Sequence, residues 1–174
     1  NVRTQEGLQE FDRLLHAAQQ YSDQLSTRVR DSLQARKERG ILTTAVPIYG
    51  QRAVEGEDGR RYVEHDEEEY MIQAIIAMLN GDYTSDEVMH AFKTYEEKYG
   101  NPESTRNLYD GGFAELENRF KLYQGSLKDF SELLTYFKVF KRGQEWTPSA
   151  IQYQWSKYIE PNIQSILDFN FKKQ

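Results

Sequence analysis

Arg28, Arg30, Arg36, Lys37, Arg39 and Arg52 crowd into residues 25–52, with only Asp31 and Glu38 to oppose them. Cations at that density do one piece of chemistry well: they neutralise a polyanion such as a phosphodiester backbone. A second polar set, Thr147, Ser149, Gln152 and Lys157, falls at the start of a predicted helix, where free backbone N–H groups suit phosphate. Thr84, Ser85, Asp86 and His90 open another predicted helix, the place from which base edges are read, although Asp86 and Glu87 repel phosphate. Other chemistry is missing. His16, His65 and His90 have no partner at ligand spacing, and cysteine is absent. There is no G-x-G-x-x-G, no phosphate-loop lysine motif and no G-x-S-x-G. The five acids within residues 64–69 read as a solvated helix start rather than as paired catalytic carboxylates. No catalytic residue, metal ligand or cofactor is therefore assigned.

The elements that carry these residues follow from periodicity and punctuation. Leu8, Phe11, Leu15, Ala18, Leu25, Val29 and Leu33 recur at three- and four-residue spacing, with no proline between residues 5 and 39. That pattern predicts one long amphipathic helix of about 50 Å, ended by Gly40. Within it the packing stripe Leu25, Val29, Leu33 passes into Arg36, with Arg28 and Arg39 on one flank and Arg30 and Lys37 on the other. The β-branched, proline-bearing "ILTTAVPIYG" is expected to be extended, and Asp58-Gly59 lies between two short candidate strands as a hairpin signal. Asp66 with Glu69 predicts a capping box before a helix whose buried face is Ile72, Ile75, Ile76 and Leu79. Thr84 with Glu87 predicts a second box before Val88, Phe92, Tyr95 and Tyr99, so the pair has a helix-turn-helix shape, itself a common form of helical core. Two further helices are expected, in "FAELENRFKLYQ" and, from a Ser126 cap, along the stripe Phe130, Leu133, Leu134, Phe137 and Phe140. Thr147-Pro148 starts a helix expected to reach about Tyr158, and Pro161 opens a short last one.

The fold expected is mainly α: a long N-terminal helix, then a helical domain with a helix-turn-helix and a small β-hairpin. A net charge of −6 speaks against a nucleic-acid binder, but the acidity is local. Residues 1–52 carry net +2, residues 53–120 net −11 and residues 121–174 net +3, so the two ends are free to meet a polyanion. No apolar run approaches the roughly 18 residues of a membrane span. The lack of cysteine fits a reducing compartment, so a cytoplasmic location without a membrane partner is expected. Asn1 in place of Met predicts a fragment or a processed product.

The order of these pieces resembles a known family. "LSTRVRDSLQARKERG" resembles, without a gap, the helix that leaves the catalytic domain of serine site-specific recombinases, with Ser26, Arg28, Leu33, Arg39 and Gly40 in register. "TQEGLQEFDRLLHAA" looks like the T-x-x-G start of that helix, and "PIYGQR" is similar to the P-x-G-Y-R stretch that opens the recombinase domain of the large members. "DGRRYVEHDEEEYMIQAIIAMLNGDYTSDEV" and "GQEWTPSAIQYQW" resemble the next block and the last segment of that domain. The likeness covers roughly residues 4–95 and 143–155. Thr27 stands where the family usually has Glu, residues 97–142 look like a helical insertion, and the zinc-ribbon cysteines of many large members are missing.

The resemblance implies a long connecting helix over 1–40, a DNA-binding domain over 41–160 and a short C-terminal helix over 161–174. It implies double-stranded DNA as partner, homo-oligomer formation through the N-terminal helix, and a catalytic domain lying before residue 1. The DNA-contacting set expected is Arg28, Arg30, Arg36, Lys37, Arg39, Arg52, Ser85, Thr147, Ser149 and Gln152. A rival reading takes the net −11 middle and the aromatic stripe 130–140 as the marks of an acidic α-helical protein-interaction module with no nucleic-acid role.

Overall fold

A computed structural model of the chain describes residues 4–100, 118, 120, 122, 123 and 125–171. It is mainly helical, with one small antiparallel hairpin. It divides into two compact units, Asn1–Pro47 with Ala53–Glu64, and Ile48–Arg52 with His65–Gln174. Helix α1, Gln5–Glu38, fills most of the first unit as one unbroken rod. Thr4 caps its start by accepting from the Gly7 N–H at 3.2 Å. Gly40 (φ +70°) ends it: its N–H donates to the Lys37 carbonyl, and the Ile41 N–H reaches back to that of Arg36. These two bonds form a Schellman closure, which needs the left-handed residue that glycine supplies without strain.

Strands β1, Gln51–Glu55, and β2, Arg61–His65, form the hairpin. The Gly59 N–H donates to the Gly56 carbonyl, and the Gly56 N–H to that of Arg60. Gly59 (φ +71°) thus sits in the left-handed position of a three-residue loop. "ILTTAVPIYG" is extended only at its start, where Ile41 bridges Tyr62 and the Leu42 N–H donates to the Arg61 carbonyl.

The second unit is built round α2, Glu67–Leu79. All ten residues from Tyr70 to Leu79 are buried, so the helix has no solvent face where a one-sided stripe was expected. It packs against α3, Ser85–Tyr99, and against the C-terminal helix described below. Its one interior polar side chain, Gln73, donates to the Tyr49 carbonyl at 3.2 Å. Helix α4, Leu127–Tyr136, starts at the Ser126 cap. It ends before the expected stripe does: the N–H groups of Lys138 and Val139 close a second Schellman turn onto Thr135 and Leu134. Phe140 is therefore outside the helix and 36% exposed, while Phe137 stacks on Phe92 with centroids 3.7 Å apart.

Helix α5, Pro148–Gln154, has the Thr147 cap and N-terminal proline that its sequence predicts. It does not run on to Tyr158 as an α-helix. A π turn at Trp155–Ile159 and a 3-10 turn at Glu160–Asn162 intervene before α6, Ile163–Phe171. Pro161 has no N–H to give the Lys157 carbonyl, and the widened turn accommodates it. Most of the helix expected in "FAELENRFKLYQ", and most of the insertion at 97–142 that precedes α4, lie outside the described residues.

Candidate nucleic-acid interface

Helical geometry brings five of the six cations of residues 25–52 to one end of α1. At about 100° per residue, Arg36 continues the line of Leu25, Val29 and Leu33, with Arg28 and Arg39 to one side and Arg30 and Lys37 to the other. Asp31 and Glu38 fall on the back of the rod, where Glu38 accepts from the Gln34 amide at 3.0 Å. All five cations are exposed, and none of their side chains forms an ion pair or hydrogen bond among the described residues. The apolar stripe before them is uncovered too: Leu8, Phe11, Leu15, Leu25 and Val29 are each about half exposed, and α1 buries no residue. Thr27, the departure from the family pattern, turns its hydroxyl onto its own helix and donates to the Asp23 carbonyl at 2.9 Å.

The remaining members of the expected set belong to the second unit. Arg52 is exposed on β1 and helps hold the Glu67 carboxyl below its ordinary range, after the larger effect of Lys98. Ser85 is half-buried as the first residue of α3. Thr147 uses its hydroxyl as the α5 cap, accepting from the Ala150 N–H at 3.2 Å. Ser149 and Gln152 are exposed on one side of α5, and Tyr153 joins them there at i+4 from Ser149. Sequence reasoning missed Tyr153. It is 52% exposed and meets Tyr158 edge-on at 5.8 Å, and its signal was an aromatic at helical spacing from two polar residues. No hydrogen bond or ring contact links Ser85 to the α5 set among the described residues.

No family model, curated protein or solved structure matches the chain. The likeness to serine recombinases therefore rests on the ordered residues themselves.

The acidic run at the head of α2 departs from its expected role. Asp66 caps the helix through the Glu69 N–H at 2.9 Å, but Glu69 does not return the bond, so the predicted box is half formed. Glu69 turns away to accept from the Gly50 N–H at 2.7 Å and from Arg142 at 2.6 and 3.1 Å. Glu68 accepts from the Tyr95 hydroxyl at 2.7 Å, and Glu67 pairs with Lys98 at 2.9 Å. Three successive glutamates thus tie α2 to three different parts of its own unit. Tyr49, packed edge-on against Trp146 at 5.2 Å, is 5% exposed and its hydroxyl has no hydrogen-bond partner among the described residues. Burial chiefly, then Glu69, Tyr95 and Glu68, push its ionisation far above the ordinary tyrosine value. Among the described residues no group of His, Cys, Asp or Glu is placed to hold a metal ion, and no helix is long and apolar enough to cross a membrane.

Proposed function

We propose that this chain is the DNA-binding, non-catalytic portion of a serine site-specific recombinase, with the C-terminal end of α1 lying along the phosphates of the duplex. The observation that carries it is the cluster Arg28, Arg30, Arg36, Lys37 and Arg39, exposed on a single rod and without an ion pair or hydrogen bond among the described residues. Cations held so break no internal pair when they meet phosphate and displace the counterions condensed on the duplex, so their affinity is sequence-independent and salt-sensitive. Ser149 and Gln152, exposed near the start of α5 with Tyr153 beside them, are the groups suited to phosphate in the second unit. The half-exposed stripe Leu8 to Val29 supports the companion reading that α1 pairs with a second copy of the chain.

Fluorescence anisotropy with a labelled duplex over a range of salt tests the proposal. Binding is expected at low salt, and the Arg36→Ala, Arg39→Ala double variant is expected to lose it. Absence of any duplex binding by the wild-type chain at low salt would falsify the reading. It would leave the acidic interaction module as the alternative, with the −11 segment 53–120 as its basis.

A further inference from the structure

A cavity of about 160 Å³ in the second unit is lined by Gln73 of α2, by the rings of His65, Tyr70 and Tyr158, and by Gln51 and Asn162. Its walls come from segments far apart in the chain. Gln51 opens β1, His65 ends β2, Tyr158 stands in the π turn and Asn162 in the 3-10 turn. The His65 and Tyr70 rings are 4.5 Å apart and tilted by 31°. Among the described residues of the lining there is no Asp, Glu, Lys or Arg, so the site suits a neutral guest. A protein cavity of about 150 Å³ takes up one benzene molecule, so this space suits one six-membered ring rather than two fused ones.

Gln73 sets what that ring must carry. It is 3% exposed, and its Nε2 donates to the Tyr49 carbonyl at 3.2 Å and to the Gln154 Oε1 at 3.5 Å. These bonds fix the amide and leave Oε1 without a hydrogen bond among the described residues. Oε1 is nevertheless not sealed, since the sealed side-chain atoms that lack a partner there are the Tyr49 hydroxyl and the Trp146 Nε1. The surface it keeps belongs to the cavity that Gln73 lines. Gly50, in the same lining, leaves that oxygen uncovered: a Cβ there would stand 2.6 Å from it. An acceptor held so deep inside a protein ordinarily has a donor. The rim supplies donors of its own. The Gln51 side-chain amide makes no hydrogen bond among the described residues, and the Tyr158 hydroxyl makes only a long contact, 3.5 Å, with that of Tyr153.

We propose that this cavity binds a thymine or uracil base. The ring N3–H donates to Gln73 Oε1, and Gln51 and Tyr158 donate to the carbonyls on either side of it. Such a base is neutral, one ring wide, and carries an N–H between two acceptors, which is the complement of this lining. It comes either as a free nucleoside or as an unpaired base of a strand, since pairing in a duplex occupies the same edge. The reading is independent of the phosphate contacts proposed for α1.

Two-dimensional proton–nitrogen NMR of the full chain, following the Gln73 side-chain amide, tests this with thymidine, N3-methylthymidine, deoxyguanosine and a short oligo-dT strand. Thymidine is expected to shift that amide saturably. N3-methylthymidine, with a methyl in place of the donor, is expected to bind roughly tenfold or more weakly. Deoxyguanosine, with its fused rings, is expected to leave the amide unmoved. Oligo-dT that reproduces the thymidine shift identifies a base in a strand, and oligo-dT that does not identifies a free nucleoside. Tyr158→Phe keeps the ring and is expected to weaken thymidine about threefold or more. Gln73→Met, of similar volume, is expected to abolish binding, read from the thymidine methyl signal after its Tm has shown that it folds. Should it not fold, thymidine against N3-methylthymidine on the wild type asks the same question. The proposal is overturned if thymidine does not saturate, if N3-methylthymidine or deoxyguanosine binds as tightly, or if Tyr158→Phe or a folded Gln73→Met binds thymidine as the wild type does.

Discussion

Gly50 holds two demands at one position. Its φ of +92° is left-handed, and a Cβ there would stand 2.6 Å from the Gln73 Oε1 in the core. Its N–H meets Glu69 and its carbonyl accepts from the Asp66 N–H at 3.1 Å, so the residue joins the entry of β1 to the head of α2. Gly50→Ala is expected to cost roughly 2 kcal/mol or more in urea denaturation, from left-handed strain and displacement of a buried amide. Gly143→Ala has the same kind of backbone (φ +80°) but open space around it, and is expected to cost only about 1 kcal/mol. Equal costs at the two sites would remove Gln73 from the account. Thr84 is a second test at this scale. It accepts from the Glu87 N–H, while its own N–H and hydroxyl donate to the Glu87 carboxylate, each at 2.8 Å, and these bonds hold that carboxyl below its ordinary value. Thr84→Ala is expected to lower stability by about 1 kcal/mol near neutral pH. Because the Glu87 value is depressed on folding, the carboxylate's share is present above the ordinary Glu pKa and is lost as pH falls through the folded value. The gap between wild type and Thr84→Ala in chemical denaturation should therefore narrow in acid, and the Glu87 carboxyl, followed by NMR, should titrate higher in the variant. The Thr84 box was legible because its partners are three residues apart. The Gly50 role was not, because Gln73 and Glu69 are distant in sequence and nothing in "PIYGQR" points to them.

At the scale of elements, what could be read were those whose signals are local. The rod α1, the hairpin turn at Gly59, and the starts of α2, α3, α4 and α5 each follow from a cap, a glycine or a period. Two ends could not be read. The last turn of α4 closes on Lys138 in a left-handed conformation, which no preference of lysine announces. The π turn after α5 answers a proline six residues past its first residue, Trp155, where an ordinary break at the proline was the simpler expectation. The burial of α2 on every side was also hidden, since Tyr70, Gln73 and Ala77 look like a polar or neutral face until other helices cover them. The opposite holds for α1, whose regular stripe has no cover among the described residues. A rod of 34 residues with that stripe is expected to pair with a second copy through Leu15, Leu25 and Val29. Sedimentation velocity should show concentration-dependent dimers in the wild type and monomers in a Leu15→Asp, Val29→Asp variant of unchanged helix content. A monomeric wild type at high concentration would sink the pairing.

For the whole molecule, the division of charge bears directly on the proposed DNA binding. The net −11 of residues 53–120 repels phosphate, and in dilute salt that repulsion reaches far, about 30 Å at 0.01 M against about 8 Å at 0.15 M. The proposed contact through α1 would have the opposite dependence, since each phosphate neutralised makes affinity fall with salt, with a log–log slope near 0.9 per contact. The two tendencies separate in different variants. Removing Arg36 and Arg39 should lower the slope by about 2 and weaken binding to every duplex alike. Removing Ser149 and Gln152, which carry no charge, should leave the slope unchanged while weakening binding to every duplex alike. Neutralising Asp86, exposed in the first turn of α3, should strengthen binding, and most at the lowest salt if α3 approaches the duplex. Anisotropy titrations of these variants against two unrelated duplexes give slope and discrimination together. If the α1 double variant keeps the wild-type slope, the cations of α1 are not the phosphate-binding element, whatever else the chain binds.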